Sequence, residues 1–358
     1  MAVQVAERRV GRGGGSVQIT RVARVVDVTV LVTGGAGYIG AHVVRLLAEM
    51  HRAALVVDDF STGSRGRVSG APVVELDLSE THAVDLLADV MVSRGVTSVV
   101  HLAGRKQVAE SVARPAWYYQ QNVTGLANVI AAMEQATVLK LVFSSSAAVY
   151  GNPAVEVVPE SAPTSPVNPY GETKLIGEWL VRDAARAWGL RAVSLRYFNV
   201  AGAGWRDLGD PMVANVVTMV LDRLVRGERP QVFGFDYPTP DGTCVRDFVH
   251  VMDLARAHLA ALAYLGRDDR PFDVFNVGTG RGSSVLEVVR QLGVVTGLDS
   301  TAVVLGRRSG DPTAVVASVE RIGQVLGWRA ELGLPEILTS AWSAWLSGRP
   351  GVLPLSQG

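Results

Sequence analysis

Cysteine is all but missing from this chain. Cys244 stands alone, so no internal disulfide can form and no cysteine-rich metal site can be assembled, and the residue reads as packing rather than as a nucleophile. The six histidines show no ligand spacing, so no metal is expected. Residues 1 to about 26 hold no apolar stretch long enough for a signal peptide or a membrane span. Neither sign of charge prevails: 34 basic residues cancel 34 acidic ones without any basic run, which speaks against a nucleic-acid surface. Lysine is scarce as well, with Lys106, Lys140 and Lys174 set against 31 arginines. Two of the three lysines fall in the motifs below, which suggests that a compact, titratable ammonium is wanted there and a guanidinium will not serve.

What is plentiful is apolar surface. With 48% hydrophobic and 19% charged residues, a chain of 358 can bury a large core, and its length suggests one to three domains. Residues 1–26, with Gly-Arg-Gly-Gly-Gly-Ser16, read as a disordered extension or the product of an upstream translation start. Cytoplasm is the default location, and no membrane or nucleic-acid partner is expected.

Val28–Thr33 reads as a buried strand running into Gly34-Gly-Ala-Gly37-Tyr38-Ile39-Gly40, a tight turn that opens a helix. Glycine lets the backbone bend and approach a pyrophosphate, whose charge meets the amides at the helix N-terminus. The glycine spacing differs from G-x-G-x-x-G, but a second strand, Ala54–Val57, ends at Asp58, eighteen residues beyond Gly40. A carboxylate at that point can accept from both adenosine ribose hydroxyls and would repel a 2′-phosphate, favouring NAD over NADP. Asp59, followed by Ser61, Thr62 and Gly63, reads also as a turn cap.

A further apolar strand, from Leu141, stops at Ser144-Ser-Ser146, and Tyr170-Gly-Glu-Thr-Lys174 follows twenty-four residues later. The spacing of four places phenol and ammonium on one face of a helix opened by Asn168-Pro169. A tyrosine titrates near pH ~10, and a nearby cation favours its phenolate, so the pair suits proton removal from an alcohol.

Strands are expected near 28–33, 54–57, 73–76, 98–102, 140–144 and 191–196, alternating with helices, which gives an α/β doubly wound parallel Rossmann sheet over 27–200. A smaller C-terminal α/β domain is expected over 201–345, with some chain crossing between the two, helices near 211–226, 252–265 and 284–296, and a tail at 346–358.

From about residue 27 to 345 the chain resembles the extended short-chain dehydrogenase/reductase family, and within it the UDP-glucose (UDP-galactose) 4-epimerases. The likeness rests on Val32–Gly40, Asp77, His101-Leu-Ala-Gly-Arg-Lys106, Asn122, Ser144–Gly151, Tyr170–Lys174, Arg196-Tyr-Phe-Asn199 and Tyr237–Asp247. The resemblance implies tightly held NAD, bound by Gly34, Gly37, Tyr38, Ile39, Gly40, Asp58, Asp59, Asp77, Leu78, Leu102, Ala103, Lys106, Asn122, Ser144, Tyr170, Lys174 and Tyr197. It implies that Tyr170 takes the proton of the sugar 4′-hydroxyl as hydride leaves for the nicotinamide. Lys174 would bond the nicotinamide ribose and lower the Tyr170 pKa, and Ser146 would hold the reacting oxygen. A 4-keto sugar then turns over and is reduced on its other face. The UDP-sugar would be held by Lys106, Ser146, Tyr170, Asn199, Asn215, Val216, Gln231, Val232, Phe233, Arg246, Arg308, Asp311 and Val315, the arginines suiting bidentate phosphate contacts.

Sibling enzymes share the scaffold. Dehydratases follow the strand serine or threonine with Asp-Glu, and decarboxylases typically keep a Glu, whereas this chain has Ala147-Ala148. Elimination would lack its proton carrier, so 4-epimerisation is expected. A non-catalytic NAD-binding sensor would usually have lost the tyrosine or lysine. Thr218 stands where the family often has Pro, the loop Gly202–Asp210 is short, and Val315 stands where hexose-restricted members often carry Tyr. The substrate could therefore be a UDP-pentose or UDP-N-acetylglucosamine. The family also implies a homodimer through helices near 114–135 and 169–189.

Overall fold

The computed structural model describes residues 29–267, 270–308 and 310–348, so the extension expected at 1–26 lies outside the described residues, as does the tail expected at 346–358 except for 346–348, which belong to the last helix. Strands and helices alternate from the start: β1 (Thr29–Thr33), α1 (Tyr38–Glu49), β2 (Ala54–Asp58), β3 (Val73–Glu75), α2 (Ala83–Ser93), β4 (Val96–His101), α3 (Val108–Ala113), α4 (Pro115–Tyr119), α5 (Gly125–Gln135), β5 (Lys140–Ser146), β6 (Val157–Val158), α6 (Pro169–Trp188) and β7 (Arg191–Tyr197). Then come β8 (Asn199–Ala201), α7 (Val216–Val225), β9 (Gln231–Phe233), β10 (Val245–His250), α8 (Val251–Tyr264), β11 (Phe272–Val277), β12 (Gly282–Ser284), α9 (Val285–Thr296), β13 (Val303–Leu305), β14 (Ala314–Ala317), α10 (Glu320–Leu326) and α11 (Leu334–Gly348).

Among the described residues, seven strands make one parallel sheet in the order β11-β7-β5-β4-β1-β2-β3. Both faces are covered, which is why β1 is buried along its whole length and reads as a continuous apolar run. Alternate residues serve opposite cores: Val30 and Val32 pack with α1 and α8, while Leu31 packs with α2, α5 and α6. The strand order reverses between β1 and β4, and the crevice beyond their carboxyl ends is where an open α/β sheet keeps its ligand.

The six strands expected between 28 and 196 all form, their ends shifted by two residues at most. One helix differs. The helix expected at 211–226 begins only at Val216, because the Asn215 side chain accepts from Thr218 N (3.0 Å) while the Thr218 hydroxyl accepts from Asn215 N (3.2 Å). That reciprocal cap defines the first turn.

A second sheet, β12-β10-β14-β6 with β8 beside β10, takes β6 from before β7 and the rest from after it, and β9 pairs with β13. Its core lies between α7, α9 and α11, around Leu221, Leu292 and Leu338. The chain crosses back repeatedly: β11 forms the edge of the seven-stranded sheet, and α8 and α10 pack in the core that holds α1.

Candidate active site

The turn after β1 is shaped by close approach. A Cβ at Gly34 would come within 2.6 Å of Ala103 N, and one at Gly40 within 2.2 Å of the Gly34 carbonyl. Gly34 also has φ +66°. Helix α1 follows Gly37 with no side-chain cap and no acidic residue in its first turn. Its orphan amides and dipole are thus left for an anion, which is the donor set a pyrophosphate requires.

This turn forms one wall of a cavity of about 460 Å³. The structure brings to its lining Gly34, Gly37, Tyr38, Ile39, Gly40, Asp58, Asp59, Asp77, Leu78, Leu102, Ala103, Lys106, Ser144, Tyr170, Lys174 and Tyr197, all singled out from sequence. Asp58 is buried, and its two oxygens accept from Ala36 N and Phe60 N, each at 2.9 Å, so it braces the glycine turn as well as facing the cavity. Burial raises its pKa against those two bonds. Burial acts the same way on Asp77, but bonds from Ser79 and Gln121 outweigh it and keep the pKa below the usual value.

Asn122 is the exception among the expected cofactor residues. It sits outside the lining, its Oδ1 accepting from Arg105 N (2.7 Å) and its Nδ2 donating to the Arg105 carbonyl and to Thr173 Oγ1. Its place in the chain is a π-helical turn, Gln120–Thr124, a local widening often found where helices carry function.

At the other end of the cavity, β5 meets α6. Asn168 Oδ1 caps α6 by accepting from Gly171 N (2.9 Å), and Pro169 fills the first turn. Three residues spaced by four along α6 then meet the three serines. Ser146 lies next to the Tyr170 phenol, Lys174 Nζ donates to the Ser144 carbonyl at 2.9 Å, and Ser145 donates to Glu178 at 2.5 Å. Burial raises the Tyr170 pKa, with the neighbouring Ser146 opposing it, and burial lowers Lys174 to about 8. The expected lowering of the Tyr170 pKa by Lys174 is thus not seen in the protein alone, where desolvation is the larger effect and the ammonium is turned to the Ser144 carbonyl. Tyr197, behind the pair, bonds the Ser144 hydroxyl.

The expected substrate residues are gathered less tightly. Arg246, Arg308, Asp311 and Phe233 form a second cluster: Arg308 pairs with Asp311 at 2.8 Å and lies over the Phe233 ring at 5.0 Å, and Arg246 reaches Asp311 at 3.9 Å. Val315, in register with Arg246 on the neighbouring strand, is buried beside Tyr150 and Phe198. Asn199 is exposed on β8, Gln231 and Phe233 flank the buried Val232 on β9, and Val216 begins α7. Asn215, spent on its cap and on Asp210 (2.9 Å), lines an adjoining cavity of about 300 Å³. None of these lines the large cavity, whereas Lys106 does, 3.8 Å from Asp210.

Sequence reasoning missed Arg105, Gln121, Trp117 and the segment Asp210–Met212 in the lining. Arg105 lies inside the quoted His101–Lys106 motif and Gln121 directly before Asn122, but nothing in their spacing shows that they meet.

A glycine turn at the switch point, with a buried serine at the end of the strand two away and a half-buried tyrosine and buried lysine on the helix beside it, defines a dinucleotide-binding enzyme of the doubly wound class. The chain belongs to the NAD dependent epimerase/dehydratase family, whose model matches residues 30–278. It is 46% identical to the UDP-glucose 4-epimerase of Azospirillum brasilense over 305 residues, 84% of this chain and 86% of that one. Among solved structures, it is similar to the UDP-glucose 4-epimerase of Stenotrophomonas maltophila with bound NAD and formylated UDP-arabinopyranose, at TM-score 0.85 and 36% identity over 90% of this chain and 98% of that one. The Brucella ovis UDP-glucose 4-epimerase in complex with NAD gives TM-score 0.83 and 39% identity, over 88% and 97%.

Proposed function

We propose that this chain interconverts UDP-glucose and UDP-galactose by inversion at C4′, using NAD that it keeps bound. The meeting of Tyr170 and Lys174 in the lining of the cavity that holds the glycine turn, with Ser146 beside them at the end of β5, carries this reading, together with Ala147-Ala148 where elimination would need a carboxyl group. When bound, NAD supplies reversible hydride acceptance at the sugar C4′, and its positive ring favours the Tyr170 phenolate. Tyr170 takes the proton of the 4′-hydroxyl, Ser146 holds the same oxygen, and Lys174 anchors the nicotinamide ribose. The 4-keto sugar turns over, Tyr170 gives the proton back, and no net oxidation remains. Arg246 and Arg308 are apt for the diphosphate, as guanidiniums that can bond two oxygens at once.

A second reading is favoured by Val315. By the family resemblance it stands where hexose-restricted members often carry Tyr, and although it packs here against Tyr150 and Phe198 outside the large cavity, its smaller side chain is the basis for expecting a UDP-pentose or UDP-N-acetylglucosamine to be epimerised as well; one solved relative holds a UDP-pentose derivative. We infer a homodimer through α4–α5 and α6, supported by Trp179, 46% exposed on α6. We place it in the cytoplasm; among the described residues no helix is long and apolar enough to cross a membrane.

The test is to incubate the purified protein with UDP-galactose, without added NAD, and follow UDP-glucose through a coupled dehydrogenase. Conversion supports the reading. Failure to convert it, while NAD is released on denaturation, moves the substrate to another UDP-sugar, and absence of NAD removes the catalytic reading.

A further inference from the structure

Arg105 closes the end of the large cavity that carries the strand-end carboxylates. From the loop after β4, its guanidinium donates through NH2 to Asp59 Oδ2 at 2.7 Å and through NH1 to the Ser61 hydroxyl. Through Nε and NH2 it donates to Gln121 Oε1, at 3.0 and 2.7 Å. Its planar head lies 4.9 Å from the centre of the Trp117 ring. Gln121 carries the chain of bonds onward, donating to Asp77 at 3.2 Å and to Ser79 at 2.8 Å. One guanidinium thus joins the loop after β2 to the π-helical turn, and through it to the loop after β3. Of the residues so joined, Asp59, Ser61, Asp77, Arg105 and Gln121 line the same cavity.

Isolated surface ion pairs contribute little, but this one is forked, networked and mostly shielded, the Arg105 side chain being 16% exposed and that of Asp59 29%. The backbone beneath is held still. Asn122 bonds both the Arg105 N–H and its carbonyl, and Gly104, at φ +152°, could not carry a Cβ without pressing on Asn122 Oδ1 at 3.1 Å. A fixed main chain with a long, rotatable side chain can open by rotamer change alone, without moving the sheet.

We propose that Arg105 is a clasp for the adenosine half of the bound dinucleotide, and that breaking its bonds to Asp59, Ser61 and Gln121 is the step that governs how fast NAD leaves. This rests on the reading of the chain as an NAD-retaining epimerase. An enzyme that regenerates its cofactor in every turnover gains from slow release, and a clasp acts on the dissociation rate. Asn122 acts through Arg105, as a positioning residue.

The experiment measures NAD retained by the purified holoenzyme after extended dialysis, and the rate at which bound NAD exchanges with added isotope-labelled NAD. Arg105→Ala and the milder Arg105→Lys, which keeps the charge without the fork, are compared with the natural chain. The proposal expects Arg105→Ala to exchange on the order of tenfold faster or more and to lose NAD on dialysis, with Arg105→Lys between. Both variants exchanging at the natural rate would overturn the clasp while leaving the epimerase reading intact. If Arg105→Ala does not fold, Arg105→Lys decides by the same measurement. A natural chain that carries no NAD would overturn the reading itself, and the clasp with it.

Discussion

Glu178 and Arg196 form a two-pronged ion pair in the interior, Arg196 Nε meeting Oε1 at 2.8 Å and NH2 meeting Oε2 at 2.6 Å, with both side chains at most 7% exposed. Glu178 also accepts from Ser145, and Arg196 donates to the Tyr150 phenol, which donates in turn to Asn276 at 2.7 Å. The pair therefore ties α6 to β5 and β7 directly behind Ser146, Tyr170 and Lys174.

Removing one partner would leave the other charged and buried. Glu178→Ala is expected to cost about 3–5 kcal/mol in urea unfolding and to lower activity through loss of the β5–α6 alignment, while a double Glu178→Met, Arg196→Met variant recovers part of the stability. A single variant as stable as the natural protein would show that the pair contributes nothing.

Tyr170→Phe leaves the helix intact but deletes the proton acceptor. A fall in kcat of about 10²–10⁴ is expected, with NAD still bound on purification. Lys174→Met is expected to show the same loss together with weaker NAD retention. Turnover by Tyr170→Phe at the natural rate would remove Tyr170 from the reaction.

Four histidines are buried neutral. Burial lowers His42, His250 and His258 to about 4 and His101 to about 3, His101 being further opposed by Lys174. Their unfolded pKa is near 6.5, so above that pH they bind no proton in either state. As pH falls from 6.5 toward 4, only the unfolded chain takes up protons. Stability is thus full at pH 7 and declines through this window, by up to ~5 kcal/mol per pH unit near pH 5 if all four act together. Urea midpoints measured at pH 7 and pH 5 check this, and equal midpoints would contradict it.

Asn215 holds the first turn of α7 and, through Asp210, the wall between the two cavities. Asn215→Ala is expected to cost about 1 kcal/mol. An unchanged thermal midpoint would show that the Thr218 hydroxyl suffices alone.

Val315 governs sugar size if the second reading holds. The natural chain is expected to turn over UDP-N-acetylglucosamine, and Val315→Tyr to lose that activity before it loses conversion of UDP-galactose. A rate on UDP-N-acetylglucosamine indistinguishable from blank, while UDP-galactose is converted, would exclude this role.

The features legible in the chain were those whose physics is local. Gly34 and Gly40 mark a turn because only a missing Cβ permits it, Tyr170 and Lys174 share a face because a helix repeats every 3.6 residues, and the apolar run of β1 announces a strand covered on both sides. These made the doubly wound sheet, the glycine turn and the shared face of Tyr170 and Lys174 legible, whereas the place of Ser146 beside them was only implied by the family resemblance. Tertiary structure alone decided the pairings between distant residues: Glu178 with Arg196, Arg105 with Asp59 and Gln121, and Asn122 with the main chain of Arg105 rather than with the cavity. A charge or an amide on its own leaves its partner unspecified, because many donors and acceptors are chemically equivalent until packing brings one of them within three ångströms. The same holds for the direction of the pKa shifts of Tyr170 and Lys174, which depend on how far each is removed from water, a property of the folded whole.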